Sequence, residues 1–309
     1  MLLKTVSPQT VSPGEKRKRF KEKLKTGQLL QFPGAYAPII SLLIQKMGFD
    51  GVYLSGAVLA NDLGYPDIGL TTLSEIAHRG KQIARVTELP SLIDADTGFG
   101  NALNTARTIQ ELEEAGLCAC HIEDQIATKR CGHLDNKTLI SVSEMSQKIR
   151  AASDAKSDQN FMVMARCDAK TVEGLDKAID RAKAYVDAGA DMIFPEALYD
   201  EKEFEIFRKE ISVPLLANMT EFGKSKLLTK QELQNLGYNI VIYPVTSQRL
   251  ALYAVENGLQ HILENGSQEG VVNQMQTRQV LYELLQYEAY NKFDQEIYNF
   301  SLHNKGGQS

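Results

Sequence analysis

No stretch of the sequence reaches the roughly 20 consecutive apolar residues that a membrane-spanning helix requires, so no membrane partner is expected. The opening, MLLKTVSPQTVSP, has no long apolar core ahead of its prolines, which argues against a secretory leader and for a cytoplasmic protein. Cysteine is scarce. The four residues, Cys118, Cys120, Cys131 and Cys167, form no C-x-x-C pair, so a structural zinc site is not expected and free thiols are. An excess of basic charge is also missing: 34 Lys and Arg face 39 Asp and Glu, a formal charge of −5, which excludes a broad footprint for the phosphate backbone of a nucleic acid. A small molecule is the better ligand. The single basic cluster, GEKRKRFKEKLK at 14–25, is interrupted by glutamates at helical spacing and reads as a solvated helix. What remains is ordinary globular composition, 43% hydrophobic and 24% charged, in a chain of 309 residues that can bury one large α/β core.

One joint recurs along the chain with different letters: an amphipathic helix, a glycine, a short apolar run, then a polar residue. It reads IQKMGFDGVYLSG, LEEAGLCACHIED, VDAGADMIFPEA and LQNLGYNIVIYPV. The glycine ends each helix, and the apolar run reads as a strand buried on both faces. Adding LLQFPGAY, PSLIDAD, NFMVMARCDA and VPLLANMTE predicts eight strands, near 29–36, 51–55, 91–95, 118–122, 161–166, 191–195, 213–218 and 239–243. Helical patterns at 72–87, 101–115, 173–188 and 247–264 separate them. Eight strands alternating with helices imply an α/β protein of the (β/α)8 TIM-barrel type, with an open doubly wound sheet as the structural rival. Residues 1–267 would form the barrel and its N-terminal helix. Residues 268–309 would form a helical extension whose aromatic spacing suggests packing on a partner subunit.

Polar residues collect where these strands end: Tyr53 and Ser55, Asp94 and Asp96, Glu123, Arg166 and Asp168, Glu196, and Asn218 with Thr220. That rim is where barrels of this type place their active sites. Within DADTGFG, Asp94 and Asp96 would face one another if the strand continued, because side chains i and i+2 share a side, and two like charges there need a positive partner. With Glu123 they offer hard oxygen ligands suited to Mg2+, with Mn2+ possible; neutralisation by Arg166 or Lys129 is the competing explanation. In ATKRCGHLDNK, Lys129 and Arg130 lower the cost of a thiolate at Cys131, Gly132 lets the backbone approach a ligand, and His133 can exchange a proton with the same group. The expected result is an activated thiol on a mobile loop beside the carboxylates.

At GVYLSG, LGYPDIG, DADTGFG, HIEDQ, KRCGH, MARCDA, FPEA, LANMTEFG and MQTR the sequence resembles the isocitrate lyase and phosphoenolpyruvate mutase superfamily, within it the methylisocitrate lyase branch, over nearly its whole length. The KRCGH loop is the most specific of these motifs, because it marks the carbon–carbon lyases rather than the phosphonate mutases. The resemblance implies Mg2+-dependent cleavage of the tricarboxylate 2-methylisocitrate to pyruvate and succinate, a step of propionate degradation, by a cytoplasmic homotetramer that exchanges its C-terminal helices. It implies Asp94 and Asp96 as metal ligands with Asp67 and Glu123 around them, and Ser55, Gly56 and Ala57 at the 2-oxo acid end. Cys131, Gly132, Arg166, Glu196, Asn218, Met219, Thr220, Arg249 and Arg278 would contact the substrate. Cys131 would be the acid, with His133 and Glu196 tuning it, and Tyr53 or Asp67 would take the hydroxyl proton. Alternatives on the same scaffold are isocitrate cleavage, a phosphonate mutase or 2-oxo acid decarboxylase reaction, or a silent metabolite-binding barrel. Two departures bear on substrate fit: Ala57 stands where the family carries a second glycine, and Cys167 where it carries threonine.

Overall fold

The computed structural model describes residues 11–127, 129–130, 132–133 and 136–299. It contains eight strands, β1 (Leu30–Pro33), β2 (Val52–Leu54), β3 (Ser91–Asp94), β4 (Ala119–Glu123), β5 (Met162–Cys167), β6 (Met192–Pro195), β7 (Leu216–Asn218) and β8 (Ile240–Tyr243). Every pairing is parallel, in two sheets ordered β1-β8-β7 and β2-β3-β4-β5-β6. Single parallel bridges, Gly34 to Tyr53 and Ile193 to Leu215, join the sheets at both edges. All eight predicted strands are present. The predicted helices are present too, as Leu73–Ala84, Ala102–Glu114, Leu175–Asp187 and Thr246–Asn265.

The strands read as apolar runs because both of their faces are covered. Leu30, Phe32, Tyr53, Leu92, Met164, Phe194 and Ile242 belong to one buried cluster, and their neighbours Val52, Leu54, Ile93, Val163, Ile193 and Val241 to another shared with the helices. Parallel pairing carries the C-terminal ends of the strands to one side of the sheets, so Asp94, Glu123, Arg166 and Asn218 share a rim.

The basic cluster forms the expected helix, Pro13–Leu24, capped by the Ser12 hydroxyl, which accepts from the Glu15 amide. Its solvated reading needs correction, because two of its cations are buried. Lys16 Nζ donates to the carbonyls of Ala84 (2.9 Å) and Thr87 (2.5 Å). Arg17 donates to the carbonyls of Leu117 (2.8 Å) and Glu113 (2.5 Å) and pairs with Asp158 at 3.2 Å. Ala84 and Glu113 lie in the last turns of two helices, whose orphan acceptors and negative dipole ends suit a cation, and Thr87 and Leu117 lie in the loops just after them. Phe20 and Leu24 of the same helix enter the first cluster beside Leu30 and Met162, covering the sheet at the end opposite the rim.

Helix Thr246–Asn265 buries only Gln248, leaving Leu252, Val255, Leu259 and Leu263 exposed, and the helices Arg278–Leu284 and Tyr287–Tyr298 bury nothing. None of the described helices is long and apolar enough to cross a membrane.

Lys16→Met should destabilise the chain by about 1–3 kcal/mol, because two buried carbonyls lose their donor. The exposed neighbour Lys18→Met should change stability by less than about 0.5 kcal/mol. Urea unfolding of both variants checks this, and equal effects would contradict the buried role of Lys16.

Candidate active site

Asp94 is the last residue of β3, and the chain turns immediately after it. Asp96 adopts a positive φ of 45°, a conformation that a non-glycine residue occupies only when its surroundings hold it there. The two carboxylates therefore meet through a turn and not through the alternation of a strand. Asp94 accepts from the amides of Asp96 (2.9 Å) and Gly56 (3.2 Å), while Thr71 donates to Asp96 at 3.5 Å. From behind, Lys148 Nζ donates to the Thr97 carbonyl at 3.0 Å and props the turn. A Cβ on Gly56 would lie 3.0 Å from both Asp94 Oδ2 and Asp96 Oδ1, so glycine is what keeps the space before them open.

Lys129 reaches this pair, with Nζ in close contact with Asp67 and 2.8 Å from Asp96 Oδ1. Burial and the neighbouring Asp94 nevertheless push the Asp96 carboxyl up to about 6, against the pull of Lys129. Glu123 is fully buried, and burial drives its carboxyl well above the ordinary range although Arg166 Nε lies 3.4 Å away. Among the described residues neither Glu123 oxygen has a hydrogen-bond donor, and Asp96 Oδ1 has the ammonium contact without hydrogen-bond geometry. Unsatisfied buried oxygens, with Asp96 Oδ1 bordering the space that Gly56 leaves open, fit a hard cation such as Mg2+. Among the described residues no three His, Cys, Asp or Glu side chains are grouped closely enough to hold a metal by themselves. The fit is therefore to an ion that keeps several waters, as Mg2+ does.

Arg166, on β5, lies over the Phe194 ring at 5.1 Å and donates to Asp168 through Nε (3.0 Å) and Nη2 (3.2 Å). Burial alone would raise the Asp168 carboxyl, but Arg166 and Lys137 hold it down at about 2. Asp124 completes the support: it accepts from the Asp168 amide (2.8 Å) and the Tyr185 hydroxyl (2.7 Å).

His133 closes the other side of the rim. Its Nδ1 accepts from the Lys224 amide at 2.9 Å, so the ring proton sits on Nε2, which donates to Glu196 Oε1 at 2.7 Å. Asn218 Nδ2, 3.4 Å from that same Nε2, then has the Glu196 oxygens as its acceptors, both at 3.3 Å. Burial opposes charge on Glu196, yet Arg166 and His133 keep its carboxyl below the ordinary range. Gly132 is seated against these groups: a Cβ there would come within 2.4 Å of Arg166 Nη2 and of Glu196 Cγ. Cys131 lies outside the described residues.

The structure thus brings together Tyr53, Gly56, Asp67, Asp94, Asp96, Glu123, Lys129, Gly132, His133, Arg166, Glu196 and Asn218. Ser55 is buried and precedes helix Gly56–Asp62, in which Ala57 is half-buried. Met219 is packed in the core, where its sulfur accepts from the Leu228 amide, while Thr220 is half-buried. Arg249 is exposed and paired with Glu221 at 2.9 Å. Arg278 lies apart, on a surface groove it shares with Tyr282 and Tyr287. Cys167 points away from the site toward the Ala178 carbonyl, 3.6 Å from its sulfur, so its replacement of threonine does not change the polar face beside Arg166.

In the apolar run LCACHI, His121 reads from sequence as a core histidine. It is fully buried, with Nε2 2.8 Å from the Tyr53 hydroxyl and Nδ1 3.6 Å from Asp94 Oδ1, and burial lowers its pKa to about 4, leaving it neutral. Its place two residues before Glu123, on the same side of β4, was the available signal. Lys137 and Lys148 carried none, because nothing local says which lysine a fold will bury.

Residues 20–263 match the phosphoenolpyruvate phosphomutase family. The chain belongs to that family. It is 54% identical over 291 residues to a probable 2-methylisocitrate lyase of Corynebacterium glutamicum, covering 94% of this chain and 95% of that one. It is 47% identical to the 2-methylisocitrate lyase of Aeropyrum pernix, over 90% and 89%. Among solved structures, 2,3-dimethylmalate lyase, described as a member of the PEP mutase/isocitrate lyase superfamily, superposes with a TM-score of 0.87 at 28% identity, covering 97% of this chain and all of that one. Phosphonopyruvate hydrolase in complex with oxalate and Mg2+ superposes at 0.84 and 28%, covering 92% and 99%.

Replacing Asp168 tests the support of Arg166. Its folded pKa of about 2 lies below the ordinary 3.8, so its contribution is present above about pH 4 and lost as pH falls toward 2. Asp168→Asn should therefore destabilise the chain at pH 7, with a proton-linked part on the order of 2 kcal/mol. Unfolding curves of the two proteins should converge between pH 4 and pH 2; a gap independent of pH would contradict the assignment.

Proposed function

We propose that this chain cleaves 2-methylisocitrate to pyruvate and succinate, and that the reaction occurs at the rim described above. The observation that carries the reading is the meeting of the Asp94–Asp96 turn with the KRCGH segment, whose Gly132 and His133 sit on Arg166 and Glu196. The relatedness to 2-methylisocitrate lyases at 54% and 47% identity supports it.

In this reading Asp94, Asp96 and Glu123 hold Mg2+, with Mn2+ a possible substitute, and the bound ion supplies a hard positive centre for oxygens of the substrate. The chain's own residues divide the remaining work. Asp67, held against Lys129 at the edge of the site, takes the hydroxyl proton. Tyr53 is less suited, because burial drives its phenol well above its ordinary range and its hydroxyl is engaged by His121. As the hydroxyl oxygen becomes the carbonyl of pyruvate, the carbon–carbon bond breaks and its electron pair moves onto the succinate fragment, where the adjacent carboxylate spreads the charge. Arg166 and Asn218 receive that charge. The Cys131 thiol gives the fragment its proton and so completes succinate. His133, tied to Glu196, orients this side of the site, and Ser55, Gly56 and Ala57 face the pyruvate end.

The eight strands close into a (β/α)8 barrel through the two bridging pairs in this reading. Residues 268–309 act as an extension that is exchanged in a homotetramer, supported by the apolar residues left open on helix Thr246–Asn265. Arg249 and Arg278 complete the substrate site from that assembly. Cys118, Cys120 and Cys167 are free and buried, which fits work in the cytoplasm.

The thiol separates this reading from its rivals, because a phosphonate mutase or a decarboxylase has no need of it. Pyruvate release, followed with lactate dehydrogenase, should fall by about a thousandfold or more in Cys131→Ser. Chelation of divalent metal, or Asp96→Ala, should stop it. Near-normal turnover in Cys131→Ser would remove the thiol from the mechanism. Faster cleavage of isocitrate than of 2-methylisocitrate would overturn the substrate.

A further inference from the structure

We propose that Lys137 is a positioning residue of this site: its ammonium ties the backbone at Gly132 to Asp168, the carboxylate that orients Arg166. The inference rests on the lyase reading for its kinetic consequence only.

The geometry is specific. The Lys137 side chain is 1% exposed, and Nζ donates to the Gly132 carbonyl at 2.5 Å and to Asp168 Oδ1 at 3.1 Å. Asp168 already has Arg166 as a partner through two hydrogen bonds, so pairing that carboxylate is only part of what Lys137 does. Burying an ammonium is costly unless its bonds are good ones. What Lys137 adds is the bond to Gly132, and Gly132 is the residue whose backbone rests on Arg166 and Glu196. One ammonium thus fixes two things relative to each other: the direction of the Arg166 guanidinium, through its counter-ion, and the height of the Gly132 backbone above it. Without Lys137, Arg166 keeps its bidentate partner, so substrate should still bind. The backbone at Gly132 and His133 should lose its anchor, so the chemical step should suffer.

The test uses the full-length protein with Mg2+. In Lys137→Met, hydrogen exchange in the segment 129–137 should accelerate by about tenfold or more while segments 91–98 and 162–168 exchange as before. Turnover of 2-methylisocitrate should fall by about tenfold or more with KM changed by less than about threefold. The thermal midpoint should move by only a few degrees, since Asp168 remains paired. Lys137→Arg, which keeps a cation, should recover part of both the protection and the turnover. Unchanged exchange at 129–137 would overturn the proposal. So would uniform acceleration of all three segments with a matching loss of stability, which is the signature of a merely structural lysine. If the wild-type chain does not cleave 2-methylisocitrate, the lyase reading fails, and the exchange comparison still decides whether Lys137 anchors this segment.

Discussion

Buried carboxylates are expensive unless cations or donors face them, and among the described residues this chain gathers five at one rim, Asp94, Asp96, Glu123, Asp168 and Glu196, with the half-buried Asp67 beside them. Lys129, Lys137 and Arg166 are the three cations set among them, and each does more than neutralise. Lys129 links Asp67 to the turn at Asp96. Lys137 links the Gly132 backbone to Asp168. Arg166 faces Glu123, Asp168 and Glu196 together. Three cations against six carboxylates leave an excess of negative charge, and it falls on Asp96 and Glu123, whose carboxyls are pushed up; among the described residues neither Glu123 oxygen nor Asp96 Oδ1 has a hydrogen-bond donor. A site with that imbalance invites a divalent cation.

The surrounding fold maintains this imbalance. Parallel strands deliver the acidic residues to one end, while the helix Pro13–Leu24 covers the other end with Lys16 and Arg17 turned to helix carbonyls. Lys148 holds the turn that Asp96 strains, and Asp124 with Tyr185 holds Asp168. The polar rim is thus rigid for the same reason that it is costly: nearly every group in it is held by two others.

Much of this was legible in the sequence, because the evidence was local. Apolar runs after helix-ending glycines locate the eight strands, and polar residues at their ends locate Asp94, Glu123, Arg166 and Asn218. The Asp94–Asp96 pair was read correctly as a meeting of charges but for a different reason, since a strand pattern cannot announce that the chain turns at Asp96 with a positive φ. Long-range pairings were not legible. Nothing near Lys16 in sequence indicates the carbonyls of Ala84 and Thr87, and nothing near Lys137 indicates Asp168. The basic run at 14–25 looked solvated because composition counts charges without showing where they point. His121 illustrates the same limit: a histidine in an apolar strand is usually core, and only the approach of Tyr53 and Asp94 gives it a place beneath the site.

The central claim is that the excess carboxylate charge at the Asp94–Asp96 turn is met by a divalent ion. Calorimetric titration of Mg2+ into the full-length chain, beside Asp96→Asn, tests it most directly. The account predicts one ion bound per chain in the wild type and a loss of that binding by about tenfold or more in the variant. Equal binding by the two proteins, or none by the wild type, would contradict it.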